Sequence, residues 1–269
     1  MVPIPTGIDP SGSLIEPLEC ILFDVYGTLF ISASGGAGMA QEHTPAIAEL
    51  GALLQDYGIS RPTEKLLADF YQQIEHEHQR LHQKGVDFPE VDIEGIWHRI
   101  LSVKPPRRLK TFAMEFEMIV NPVYPMPHLA EMLAALQSKS ILTGLISNAQ
   151  FYTPYLFIWF LNADLTDLGF AEDLILFSYR FGHAKPSPVL FRTAADNLEK
   201  RNIAPSATLY VGNDMLNDIY AARKCGFQTA LFAGDDRSLR LREDDARCRN
   251  LQPNLVITDL EQILNFVPR

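Results

Sequence analysis

Cysteine is scarce in this chain. It has 3, Cys20, Cys225 and Cys248, far apart and with no CxxC pair. So few, so dispersed, build neither a disulfide framework nor a zinc site, and the pattern suits a reducing cytoplasm. Basic residues are also in the minority, 23 against 33 acidic, for a formal charge of -10. Nonspecific binding to nucleic acid or to an anionic membrane needs a basic patch, so neither is expected. A small anionic substrate remains open, because one lysine or one metal ion reverses the field inside a pocket. No apolar run approaches the ~20 residues of a membrane span. The opening stretch, MVPIPTGIDPSGSL, lacks the basic and apolar regions of a signal peptide and reads as a Pro/Gly-rich arm, partly disordered.

What is present is an ordinary globular composition. The 269 residues are 47% hydrophobic and 21% charged, enough for one large domain or two smaller ones with a substantial core. Residues 20–30, CILFDVYGTLF, organise the rest. Residues 20–23 form a short apolar run, read as a buried strand that ends in Asp24, with Tyr26, Gly27 and Thr28 in the turn beyond. A carboxylate there sits at the carboxyl edge of an open α/β sheet, where reactive groups are held. The alternative is that Asp24 caps its turn through the Gly27 and Thr28 amides. Residues 30–38 follow as a flexible flap or a plain surface loop.

From about residue 44 to 120 the strand signature gives way to helical spacing. Ile47, Leu50, Leu54 and Tyr57 make one helix, and Leu66, Phe70, Ile74 and Leu81 mark a second. Ile93, Ile96, Trp97 and Ile100 make a third, and residues 109–120 a fourth. Prolines 45, 62, 89, 105 and 106 fall at their ends. A βαβ crossover needs one helix. Four imply a separate helical module inserted into the sheet domain. Within it, His78 and His82 at i, i+4 either share a metal or lie on a solvated face. Arg107, Arg108 and Lys110 form its basic cluster, read as solvated.

Further buried strands are expected at 140–146, 174–178, 208–211, 229–233 and 253–257, with a closing helix at 259–266. The second ends in Ser147 and Asn148, which suit phosphate oxygens or a helix cap. The aromatic run 152–160 reads as packing. Lys185 precedes a helix N-terminus, where it can fix an anion as a point charge. The strand at 208–211 runs into GNDMLND, whose Asp214 and Asp218 are four apart and, if a helix has begun, point along one face toward Asp24. Hard carboxylate oxygens of that kind suit Mg²⁺, unless one of the two serves as a helix cap.

Four motifs in this order, FDVYGTL, LISN, AKPSPVLF and VGNDMLNDI, resemble those of the haloacid dehalogenase-like hydrolase superfamily. The resemblance implies a Rossmann-like parallel sheet core with helices on both faces, residues 1–31 and 126–269, and a helical cap over residues 32–125. It implies Asp24 as nucleophile, Ser147 holding the transferred group with Gly27, Thr28 and Asn148 beside it, and Lys185 offsetting charge. It also implies Mg²⁺ on Asp24, the Tyr26 backbone carbonyl and Asp214, with Asp218 as a further ligand. Two departures stand out. Tyr26 occupies the position of the phosphatases' acid/base aspartate, and tyrosine there resembles the 2-haloacid dehalogenases. Asn213 stands where the fourth motif usually has its first aspartate. The expectation is a Mg²⁺-dependent phosphatase acting on a small phosphorylated metabolite, as a monomer or homodimer. The alternatives are a metal-free 2-haloacid dehalogenase and a binding protein that has lost turnover.

Overall fold

The structure, a computed structural model, describes residues 1–33, 47–101 and 106–268. A two-residue strand, β1 (Ser11–Gly12), precedes the first buried strand, β2 (Cys20–Phe23). Next come β3 (Phe30–Ser32) and the helices α1 (Ile47–Asp56), α2 (Thr63–Gln83), α3 (Ile93–Ile100) and α4 (Pro106–Val120). The chain returns through β4 (Val123–Pro125), α5 (Leu129–Ser138), β5 (Leu142–Ser147), α6 (Thr153–Leu161) and β6 (Phe170–Phe177). A single turn α7 (Ser178–Phe181), α8 (Val189–Glu199) and β7 (Thr208–Gly212) follow. A π-helical turn, Met215–Tyr220, runs into α9 (Ala221–Lys224). Last are β8 (Gln228–Phe232), β9 (Leu255–Ile257) and a 3-10 turn, Leu260–Asn265.

One sheet holds seven strands in the order β1-β9-β8-β7-β2-β5-β6. Neighbours are parallel except β1 against β9. The six parallel strands follow the doubly wound order 3-2-1-4-5-6, whose crossovers reverse direction at β2. The carboxyl ends of β2, β5 and β7 therefore open the crevice where such sheets bind ligands. All four residues of β2 are fully buried, bonded by β5 on one side and β7 on the other. Covered on both faces, the strand reads as an unbroken apolar run. Ile21 and Phe23 pack with Leu133 and Phe157 on one face; Cys20 and Leu22 pack with Leu190 and Phe191 on the other.

The inserted helices have a core of their own. Trp97 is fully buried at its centre, stacked on Phe70 at 4.3 Å and edge-on to Phe112 at 5.0 Å and Phe116 at 4.7 Å. The β3–β4 ribbon is where the chain leaves the sheet and comes back. No helix among the described residues is long and apolar enough to cross a membrane.

Several expectations change. Residues 30–32 are a buried strand rather than flap, because β4 supplies their partner; residues 34–38 of that expected flap lie outside the described residues. The N-terminal arm is laid on the sheet: β1 pairs with β9, Ile4 donates its amide to Asp235 Oδ1 at 2.7 Å, and the Asp236 amide donates to Ile4 O at 2.8 Å. The closing helix is a 3-10 turn capped by Asp259. In the aromatic run, Tyr152 and Phe157 are buried, but Tyr155, Trp159 and Phe160 are exposed.

Trp97→Ala removes the shared partner of three rings and is expected to destabilise the protein by about 3–5 kcal/mol. Urea denaturation measures this; a loss below 1 kcal/mol would show that the helices do not depend on this cluster.

Candidate active site

Asp24 leaves β2 directly, and its amide donates to Val211 O at 2.9 Å, continuing the pairing with β7. This fixes the carboxylate at the mouth of the crevice, 7% exposed. The buried Lys185 ammonium donates to Asp24 Oδ1 at 2.8 Å and to Asp218 Oδ1 at 2.6 Å. Its third proton meets the Tyr210 hydroxyl at 2.9 Å, with Ile146 O farther off at 3.3 Å. The Tyr210 hydroxyl itself lies 2.8 Å from Ile146 O and 3.0 Å from Asp218 Oδ1. Burial by itself would lower the lysine, but the carboxylates of Asp218 and Asp24 outweigh it and raise its pKa. Burial raises the Asp218 carboxyl, and Lys185 only partly offsets that.

Local sequence explains each placement. Asp218 lies against the end of β7 because residue 212 is glycine: a Cβ there would meet Asp218 Cγ at 2.4 Å. Lys185 is set by Asn148, whose Oδ1 accepts the Lys185 amide at 2.7 Å and whose Nδ2 donates to Lys185 O at 3.2 Å. Asn148 therefore positions the lysine through its backbone. Ser147 ends β5, and its hydroxyl is fully buried without a hydrogen-bond partner. Buried hydroxyls left without a partner are rare, and this one keeps its donor unused.

The motif-one turn closes on itself. Gly27, at φ +83, donates its amide to Phe30 O at 2.7 Å, and the Thr28 amide donates to Val25 O at 3.3 Å. Neither amide turns to Asp24. The Thr28 hydroxyl donates to Asn213 Oδ1 at 3.2 Å, and Asn213 Nδ2 donates to Ser238 O at 2.5 Å. Tyr26 is buried. Its hydroxyl pairs with the Thr153 hydroxyl at 3.0 Å, and burial pushes the phenol well above its usual range.

Asp214 does not share the face of Asp218. It is the cap of the π-helical turn: Oδ1 accepts the amides of Leu216 at 2.8 Å and Asn217 at 3.0 Å. Arg242 engages both of its oxygens, its guanidinium closing to 2.6 Å of Oδ2. A capping side chain folds back over its own helix start. That is why a spacing of four did not aim both carboxylates at Asp24.

These donors do not suit Mg²⁺, which wants near-octahedral oxygens that include one or two free carboxylates. Asp214 is held by Arg242, and both Asp218 oxygens are occupied, Oδ1 by Lys185 and Oδ2 by the Asp214 amide at 2.9 Å. Among the described residues, the one group of three or more His, Cys, Asp or Glu with converging ligand atoms is His128, Asp259 and Glu261, which is not at the crevice. Of the helical module's candidates, His82 Nδ1 lies 2.9 Å from Val86 O, Lys110 pairs with Glu94 at 3.1 Å, and Arg108 donates to Asp56 O at 2.8 Å. Arg107 is exposed.

The helical module meets the site through residues 88–91. The Glu90 amide donates to Gly182 O at 3.1 Å and the Ala184 amide to Phe88 O at 2.8 Å, one residue before Lys185. The Glu90 carboxylate accepts Ser178 Oγ at 2.6 Å and Gln150 Nε2 at 3.0 Å, and burial pushes it up to about 7. Tyr210 and Arg242 escape a reading of the sequence. The only signal for Tyr210 is a hydroxyl inside an apolar strand, which must find a partner.

Tyr210→Phe keeps the ring against Phe191 and removes one acceptor from a buried ammonium. A loss of about 1–3 kcal/mol in urea denaturation is expected; an unchanged midpoint would show the phenol idle. For Glu90, the folded state holds a proton between about 4.5 and 7 that the unfolded chain has released. Stability therefore falls as pH rises through that window, by about 3 kcal/mol. Glu90→Gln is expected to flatten this slope in thermal unfolding; an equally steep slope in the variant would assign it elsewhere.

Solved structures with this fold include a 2-haloacid dehalogenase from Pseudomonas syringae pv. Tomato DC3000 (TM-score 0.55, 20% identity, 93% of this chain and 97% of that one). They also include an L-2-haloacid dehalogenase from Xanthobacter autotrophicus with chloropropionic acid covalently bound (0.52, 18%, 92% and 97%). A HAD phosphatase from Thermococcus onnurineus is as similar (0.53, 18%, 93% and 99%). A search of curated protein sequences finds no significant match. The family model for haloacid dehalogenase-like hydrolases matches residues 18–226, most of the chain, and the protein belongs to that family of hydrolases.

Proposed function

We propose that the protein hydrolyses a small molecule through an ester on Asp24, by displacement at carbon and without a divalent cation. The observation that carries this is the charge partner of the nucleophile: a lysine ammonium at 2.8 Å, with Asp214 bound to Arg242 instead. In this scheme the Asp24 oxygen not held by Lys185 attacks the electrophilic carbon. The leaving group departs with the bonding pair, and the carboxylate becomes an ester. Water then adds to Asp24 Cγ and breaks the bond from Cγ to the ester oxygen. That releases a hydroxylated product and restores the carboxylate. One proton of that water passes to the departing product oxygen, giving the alcohol, and the other is released as the carboxylate re-forms.

Tyr26 favours a halide over an alkoxide as the leaving group. An alkoxide needs a proton as it departs, and a positioned acid contributes about 10²–10⁴ in rate. A phenol bonded to Thr153, with its pKa pushed up by burial, is a poor acid. Halide leaves as the anion and needs none. Residues 32–125 act as a cap that excludes water from the ester until attack, over a core of residues 1–31 and 126–269. A second reading, phosphatase chemistry, is favoured by the unpartnered Ser147 hydroxyl near Lys185, which also suits a phosphoryl oxygen.

Chloride release from 2-chloropropionate and from short chloroalkanes, beside phosphate release from p-nitrophenyl phosphate, separates the two. Chloride release indifferent to EDTA and absent in Asp24→Asn is expected. Phosphate release that requires Mg²⁺ would overturn the metal-free reading.

A further inference from the structure

A cavity of about 200 Å³ lies between the inserted helices and the sheet. Asn148 and Ala184, the chain neighbours of Ser147 and Lys185, stand on its wall, and Asn148 bonds the Lys185 backbone through both atoms of its amide. Lys185 in turn holds Asp24, so the cavity is joined to that carboxylate through Asn148 and Lys185. The volume is below the usual ~300–1,000 Å³ of ligand pockets and fits a compact molecule. Most of the wall is apolar, with Phe70, Ile74, Val91 and Phe116 supplying it.

The charges on this wall are one-sided. Glu90 and Glu117 line it, and among the described lining residues there is no lysine or arginine. His78 is the remaining titratable base, and burial lowers its pKa, which keeps it neutral. The partners of the two carboxyl groups are all neutral. Glu90 has the Val91 amide at 3.0 Å, Gln150 and Ser178; Glu117 has Asn121 at 3.3 Å and the Tyr152 hydroxyl. Burial raises both carboxyls, as expected for acids facing an apolar cavity with no cation.

We propose that this cavity binds the part of the substrate remote from the reacting bond, and that this part is a small apolar body carrying an ammonium group. A carboxylate there would face two acids and no base. An ammonium supplies the missing counter-charge, with hydrogen bonds to carboxylate oxygens that are stronger than neutral ones. Glu90 Oε2 accepts only Ser178 Oγ, so it retains a lone pair for such a donor. The proposal rests on Asp24 as the reactive group of the adjoining site, but its test does not depend on turnover.

The probes are n-butylamine, butyrate and 1-butanol, titrated into the full chain at neutral pH and fixed ionic strength, with binding read by calorimetry and by thermal shift. Butylammonium is expected to bind and to raise the melting temperature, and butyrate to do neither. Glu90→Gln and Glu117→Gln, each isosteric, are expected to weaken the amine at least about tenfold. Asp24→Asn is expected to leave amine binding unchanged while abolishing hydrolysis, which separates failure of this site from failure of the reaction scheme. Butyrate or butanol binding as tightly as the amine would overturn the proposal. So would amine binding that survives both glutamine variants, or no amine binding to the wild type.

Discussion

One ammonium group organises the site. Lys185 Nζ is shared by Asp24 from the end of β2, Asp218 from the turn after β7, Tyr210 from within β7 and the carbonyl of Ile146 from β5. No two of these acceptors are close in sequence except Tyr210 and Asp218. They meet because the strand order puts β2 between β5 and β7. Two buried carboxylates side by side need that counter-charge, and a buried charge that loses its partner typically costs about 3–5 kcal/mol. The doubly wound sheet and the lysine depend on each other. The sheet gathers the acceptors, and the lysine makes it tolerable for them to be gathered.

The fourth motif shows how neighbouring polar residues are divided among different partners. Three of its four polar positions have distinct roles. Asn213 ties the motif-one turn to Ser238, Asp214 starts the π-helical turn under Arg242, and Asp218 faces the lysine. Asn213 fills its position with a neutral amide, bonded on both sides. The positive side chain at Asp24 is Lys185, whose ammonium orients one oxygen of the carboxylate.

The sequence disclosed those parts that repeat a pattern or stand at its end. Buried strands read as apolar runs, inserted helices as a period near 3.6, and Asp24 and Lys185 as charges at the edge of both. What stayed hidden has no period. β3 and β4 are three residues each and become strands only by pairing with one another across the helical module. Asp214 and Asp218 look equivalent until the start of the helical turn is known. The arginine that decides the matter is 28 residues away, in a stretch without regular structure. Tyr210 passes for one more apolar residue of its strand, because an aromatic ring is a normal occupant there.

The N-terminal arm has a consequence for the sheet it rests on. An edge strand offers a row of unpaired amides and carbonyls, a template for another chain. At the β9 edge that row meets the chain's own backbone, since Ser11 and Gly12 pair with Val256 and Leu255, and the Ser13 amide donates to Asn254 O at 3.0 Å. Gly12 can take this place because its φ of +97 and its missing side chain let the two backbones touch; a Cβ would lie 2.1 Å from Asn254 O. At the other edge, β6 presents exposed Glu172 and Asp173, the second paired with Arg201 at 2.7 Å, and charged side chains of this kind blunt an edge. The sheet is thus closed at one margin by the chain's own backbone and blunted at the other by charge.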